Sequence, residues 1–305
     1  MFEYFISETA ASKGYELVDS GDGEKLERYG KVLISRPDPQ ALWTKGLPET
    51  EWNKADAFFK RAPTSPSPSS GRRGEPEWST RGEIADRWQI EFGELKFWIK
   101  LSAFKHTGLF PEQLGNWQWI QKLIETRKLK AEKPVTVLNL FGYTGGASLA
   151  AAAAGAEVCH VDGSKVAIGW ARDNAQVSGL EGKPIRWILD DAAKFVQREI
   201  KRGNLYDGII MDPPAFGHGP KGETWKIGQN FLPFIESCKQ ILSKEPLFFL
   251  INGYASGYSA LAYKNNLFDL EKKFGGAVEV GELTIKETAS ERLLPAGIFA
   301  RWSGK

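Results

Sequence analysis

The chain is poor in the residues that build metal and redox centres: its 305 residues include two cysteines and three histidines. Cys159 and Cys238 have no short metal-ligand or disulfide spacing, so neither a stapled scaffold nor a zinc ribbon is expected. No apolar run approaches the roughly 20 residues of a membrane span. The start, Met1-Phe2-Glu3-Tyr4, shows no basic segment followed by an apolar one, as a secretory leader would. These absences predict a reduced, cytoplasmic setting without a membrane partner. Charge of one sign is lacking too. A formal net charge of +2 neither requires nucleic acid nor excludes it, because a local basic patch can bind phosphates.

What the chain does have is tryptophan, eleven in all. Trp78, Trp225 and Trp302 fall outside the strongest apolar runs, and packing in the core of a smaller domain is the preferred reading over a binding surface. In the N-terminal third, short strands alternate with turns. Asp19–Gly23 is a dense turn signal, Lys31–Ser35 a strand, and Trp88–Phe92 with Lys96–Lys100 a hairpin around Gly93-Glu94. The Pro/Ser-rich stretch within 61–80 reads as a mobile loop. Residues 112–130 place Leu114, Trp117, Ile120, Leu123 and Ile124 on one helical face.

From Val135 onward strands and helices alternate. Strands are expected at Val135–Leu140, Glu157–Asp162, Arg186–Leu189, Gly208–Met211 and Leu247–Ile251, with an antiparallel pair closing the chain. This pattern predicts an α/β fold with a mostly parallel sheet covered on both faces. The expected division is a β-rich domain over 1–104, a connecting segment and helix over 105–130, and the α/β domain over 131–305.

Asn139-Leu-Phe-Gly-Tyr-Thr-Gly-Gly146 joins the first of these strands to a helix. Its spacing is G-x-x-G-G, whereas dinucleotide enzymes use G-x-G-x-x-G to seat a pyrophosphate. Glycines here are expected to let a ligand approach the backbone. Asp162 ends the second strand, where an acid can accept both ribose hydroxyls. Asp191 ends the third, where it can accept from an adenine amine. Three such features at consecutive strand ends predict a nucleoside pocket.

The fourth strand ends in Asp212-Pro213-Pro214-Ala215-Phe216. Two prolines fix the turn, so the Asp212 carboxylate is aimed before any ligand arrives. Phe216 can stack a flat base. A rigid acceptor beside an aromatic platform suits holding a planar nitrogen nucleophile against an electrophile. The bland alternative is a tight turn whose acid caps the next helix.

Together these residues resemble the class I S-adenosylmethionine-dependent methyltransferases, and within them the bacterial 23S ribosomal RNA methyltransferases of the RlmI and RlmK type. The resemblance spans about residues 88–305. It rests on Lys105-His106-Thr107-Gly108-Leu109-Phe110-Pro111-Glu112-Gln113, on Leu138–Gly146 with Val161–Ser164, and on Asp212–Phe216. It implies a Rossmann-like seven-stranded sheet after a smaller β-rich domain. It also implies S-adenosylmethionine held by Asn139, Phe141, Gly142, Tyr143, Thr144, Gly145 and Gly146, with Asp162 on the ribose and Asp191 near the adenine. Thr107 and Gln113 would help close the pocket.

Departures from the family pattern are Glu112 in place of Asp and no recognisable RNA-binding PUA domain ahead of residue 88. A third is Asn252 where cytosine-modifying relatives carry a nucleophilic cysteine. Carbon-5 methylation of cytosine needs a thiolate that adds to the ring, so base nitrogen is the expected acceptor. Asp212, Pro213 and Pro214 would orient it, Phe216 would stack it, and Asn252 would hydrogen-bond its edge. The expected partner is RNA, as ribosomal RNA or an assembly intermediate. A protein or small-molecule acceptor, a nicotinamide-dependent dehydrogenase and a non-catalytic RNA-binding factor are the competing readings.

Overall fold

The computed structural model describes residues 3–60, 77–102, 105–130, 133–254 and 257–304. The chain forms two compact units. One comprises Met1–Ser7, Glu112–Leu283 and Ala296–Lys305, the other Glu8–Pro111 with Thr284–Pro295.

The first unit is built on strands β1 (Thr136–Leu140), β2 (Glu157–Asp162), β3 (Ile185–Leu189), β4 (Gly208–Met211), β5 (Phe248–Gly253), β6 (Ala277–Lys286) and β7 (Leu293–Ser303). Their order is β6-β7-β5-β4-β1-β2-β3, and Tyr4–Thr9 adds an eighth strand outside β6. That eighth strand is the addition to the seven expected. Its backbone comes so close that a Cβ on Gly281 would stand 1.9 Å from the Phe5 carbonyl oxygen, which is why residue 281 carries none. β3, β2, β1, β4 and β5 run parallel, and β7 lies antiparallel to β5. The central strands are apolar throughout because both faces are covered.

One face carries Leu138, Leu140, Cys159, Val161, Ile209, Met211, Phe249 and Ile251. Two helices there, Ala192–Arg202 and Ile227–Gln240, contribute Phe195, Val196, Phe234 and Ile235. The other face carries Val137, Val158, Ile210, Phe248 and Leu250 against Ile120, Ile124, Ala151 and Ala152. Those four belong to α1 (Leu114–Lys128) and α2 (Gly146–Ala153). Side chains alternate along a strand, so this second face also receives Asn139, His160, Asp162, Asp212 and Asn252 at its carboxyl end.

The second unit holds a five-stranded sheet in the order Tyr15–Gly21, Glu24–Tyr29, Val32–Pro37, Ala57–Lys60, Glu77–Thr80. The expected hairpin is present at Trp88–Phe92 and Leu95–Ile99, with Gly93 and Glu94 both left-handed at its turn. Residues 61–76 of the stretch read as a mobile loop lie outside the described residues. The remainder corrects that reading, since Glu77–Thr80 is a strand paired antiparallel to Ala57–Lys60. Buried Glu27 binds Arg36 through two guanidinium nitrogens, with Lys25 beside it. Arg36 and Lys25 hold the Glu27 carboxyl down at about 2 against the cost of its burial. Trp78 meets Phe59 edge-on within the second unit, as the bland reading expected, whereas Trp225 and Trp302 are buried in the core of the first unit and correct that reading.

Candidate active site

The turn after β1 is held in a conformation that side chains resist. Phe141 and Tyr143 have φ of 58° and 49°, the left-handed region that bulky residues avoid. Several contacts hold it there. The Gly142 amide donates to the Val161 carbonyl at 3.0 Å, and the Tyr143 amide donates to Asp162 Oδ2 at 2.8 Å. The Phe141 ring lies against Trp225 and Phe234, at 5.2 and 5.7 Å. Asp162 Oδ1 accepts from the Ser164 amide, so the acid expected on a ribose also ties two turns together. Burial raises its pKa while those two amides oppose the rise.

The glycines of this turn have protein neighbours where a Cβ would be. On Gly142 it would stand 2.4 Å from His160 Cε1, and on Gly146 2.3 Å from Trp117 Cζ2. Gly145 has φ 92° and faces Ala171. Packing therefore requires Gly142 and Gly146, and the left-handed φ suits Gly145, whatever a ligand adds. Beneath the turn, Asn139 Nδ2 donates to Ser148 Oγ, which shares a 2.9 Å hydrogen bond with His160 Nδ1. Burial pushes the His160 ring down to about 3, so it is neutral. Thr144 is buried, and its carbonyl accepts from Asn174 Nδ2.

Asp191 caps Ala192–Arg202 by accepting from the Lys194 amide at 2.9 Å. Beside it lies a feature the sequence did not reveal: Phe216–His218 and Thr224–Lys226 form an antiparallel hairpin. Its turn lies against Gly163 and Asp191, since a Cβ on Gly163 would stand 3.4 Å from the His218 carbonyl oxygen and one on Gly219 3.1 Å from Asp191 Oδ2. Trp225 pins the hairpin by donating from Nε1 to the Pro214 carbonyl at 2.7 Å. Only a single apolar residue marks each hairpin strand, and the Gly-Pro-Lys-Gly-Glu run between them reads as loop.

Asp212 does not cap a helix, since the next begins at Ile227. Among the described residues nothing donates to its carboxylate, and burial alone pushes its pKa up to about 6. Met211 and Ile251 are register partners, so Asp212 and Asn252 follow one rung further on adjacent strands. Pro213 is buried, whereas Phe216 is 54% exposed and meets the His218 ring edge-on at 5.0 Å. Asn252 Oδ1 accepts from Asn116 Nδ2 at 2.8 Å, and Gln113 Oε1 accepts from the same nitrogen at 3.2 Å. Thr107 belongs to the second unit, where it is buried and its carbonyl accepts from the Lys100 amide. Cys159 and Cys238 are buried on the face opposite Asp212, and burial raises both thiols, Cys159 to about 11.

A cation is a natural complement of a carboxylate that no donor among the described residues reaches. The sulfonium of S-adenosylmethionine is such a cation, and the strained turn and Asp162 stand at neighbouring strand ends. The comparisons agree on the cofactor. A family model described as S-adenosylmethionine-dependent methyltransferase matches residues 72–247. The crystal structure of the SAM-dependent methyltransferase from Agrobacterium tumefaciens is 40% identical, covers 99% of this chain and 94% of that one, and superposes with a TM-score of 0.89. Ribosomal RNA large subunit methyltransferase K of Neisseria meningitidis is 26% identical over 77% of this chain and 64% of its own length. The K/L methyltransferase of Hahella chejuensis is 34% identical over 50% of this chain and 20% of its own. The chain thus spans less than two thirds of either curated relative. With the matched segment running through the turn, both strand-end acids and Asp212-Pro213-Pro214, the chain belongs to the S-adenosylmethionine-dependent methyltransferase family.

Proposed function

We propose that this methyltransferase acts on a base nitrogen in RNA, with large-subunit ribosomal RNA as the substrate. The observation that carries the proposal is the pairing at the ends of β4 and β5. Among the described residues Asp212 is an acceptor without a donor, it stands one strand away from Asn252, whose amide nitrogen meets no acceptor there, and exposed Phe216 follows on the proline-fixed turn. A planar base with a donor and an acceptor on one edge meets that set, and Phe216 offers its ring to the base face. The curated relatives' names supply the RNA class.

Within the reading, the turn Phe141–Gly146 and Asp162 hold the adenosyl portion, and Asp191 stands toward the adenine. When bound, S-adenosylmethionine supplies an electrophilic methyl group. Asp212 then accepts a hydrogen bond from the target, Pro213 and Pro214 keep its backbone still, and Asn252 donates to an acceptor on the same base. Alignment of this kind lowers the barrier without a covalent intermediate. Neither buried thiol faces the site, which fits nitrogen as the acceptor.

The test is methyl transfer from labelled donor by the full chain to ribosomal RNA and ribosomal particles from cells lacking the gene, followed by nucleoside mass spectrometry. A single methylated base nitrogen is the expected product. Transfer only to a protein fraction or small molecule would overturn the RNA assignment.

A further inference from the structure

Asn252 and Gln113 end in amides, and an amide can present either its oxygen or its nitrogen to a ligand. What decides between them lies one layer back. Arg301 Nη1 donates to Asn116 Oδ1 at 3.1 Å. A guanidinium has donors and no acceptor, so Asn116 must turn its oxygen toward Arg301 and its nitrogen away. That nitrogen has two hydrogens, and both are used: one goes to Asn252 Oδ1 at 2.8 Å, the other to Gln113 Oε1 at 3.2 Å. Both outer amides therefore spend their oxygens inward. Each is left with an NH2 group that meets no acceptor among the described residues.

The Arg301 end is itself fixed. Its Nε and Nη2 donate to Glu279 Oε2 at 2.8 and 2.7 Å. The guanidinium also lies over Trp119 and Phe299, at 4.9 and 4.7 Å from the ring centroids. A planar cation between two aromatic faces, tethered to a carboxylate, has no freedom to reverse. Asn116 is fully buried, so water cannot stand in for a wrongly turned amide.

From this we infer that Arg301 and Asn116 are positioning residues that lock Asn252 and Gln113 as hydrogen-bond donors. The site accordingly takes a target presenting an acceptor atom, a carbonyl oxygen or unprotonated ring nitrogen, beside the group that Asp212 receives. The inference rests on the proposed reaction for its substrate, but the polarity of the amides stands apart from it. The argument also predicts an inversion. In Asn116→Asp both atoms of the side chain accept, so Asn252 must turn its nitrogen inward and its oxygen toward the ligand.

Two measurements on the full chain test this. The first compares transfer to undermethylated ribosomal RNA for wild type, Asn252→Ala, Asn116→Asp and the double variant, with S-adenosylhomocysteine binding by calorimetry as the control. Asn116→Asp is expected to lower kcat/KM by about 10- to 100-fold in the wild-type background, by a clearly smaller factor in the Asn252→Ala background, where only Gln113 is left to invert, and to leave cofactor binding unaltered. Equal losses in both backgrounds would mean a merely structural role and overturn the inference. The second reads the Asn252 side-chain amide by NMR and needs no activity. Its signal should move downfield in Asn116→Asp as its nitrogen gains a carboxylate partner. A signal that stays put refutes the relay even if the RNA assignment stands, whereas a shifted signal without RNA transfer by wild type refutes the RNA assignment alone.

Discussion

Replacing Gly142 by alanine places one methyl group against an immobile ring. The new Cβ would stand 2.4 Å from His160 Cε1 and 2.6 Å from Nδ1, about 1 Å inside ordinary contact. The ring cannot swing aside freely, because Ser148 binds Nδ1 and the Trp187 ring packs against it at a tilt, with centroids 4.9 Å apart. Overpacking of this kind costs about 1–3 kcal/mol. Breaking the Ser148 bond to relieve it adds about 1 kcal/mol. Gly142 does not have a positive φ, so alanine recovers about 0.4–1 kcal/mol by restricting the unfolded chain. The expected net loss is about 2–3 kcal/mol. His160→Ala also destabilises alone, yet it opens the space that the methyl group needs. Urea unfolding of wild type, both single variants and the double variant should therefore give a coupling energy of about 2 kcal/mol in favour of the pair. Effects that add to within about 0.5 kcal/mol would refute the packing account of this glycine. Calorimetric titration of the double variant with S-adenosylhomocysteine adds a second reading: if the glycine serves the ligand as well, stability returns and affinity does not.

Other expectations follow from the same geometry. Free Asp212 titrates near 6, so kcat/KM should rise with pH through that value and level off above it, and Asp212→Asn should erase the inflection. Glu27 has a folded pKa of about 2, below its unfolded value near 4.3, so its stabilising contribution is complete above about pH 5 and fades as pH falls toward 2. Glu27→Gln leaves Arg36 buried without its counter-ion and should cost about 3–5 kcal/mol at neutral pH. The gap from wild type in urea melts should narrow in acid. Phe216→Ala should raise KM for RNA while leaving S-adenosylhomocysteine affinity intact, with about 1–3 kcal/mol of stacking at stake.

The parallel core was legible because each strand is an unbroken apolar run between turn residues. Glu157–Asp162 and Gly208–Met211 match the expected bounds. The closing pair is longer than expected because Gly281, Pro295 and Gly297 interrupt its pattern without ending the strands. Asp212 was legible as an acid fixed at a strand end, since two prolines mark the turn locally. Asn116 was not. Its role is set by Asn252, 136 residues away, and by Arg301, 185 residues away, and nothing in helix periodicity announces either. The reason for Gly142 was hidden likewise, because the ring that excludes its Cβ belongs to the next strand.

The two sealed thiols make the chain easy to instrument. With Cys159 raised to about 11 and Cys238 also raised by burial, almost no thiolate exists at neutral pH to meet a maleimide. One new cysteine at an exposed position, such as Leu42 or Leu129, would take a dye or spin label alone, with no background to subtract and neither native residue replaced.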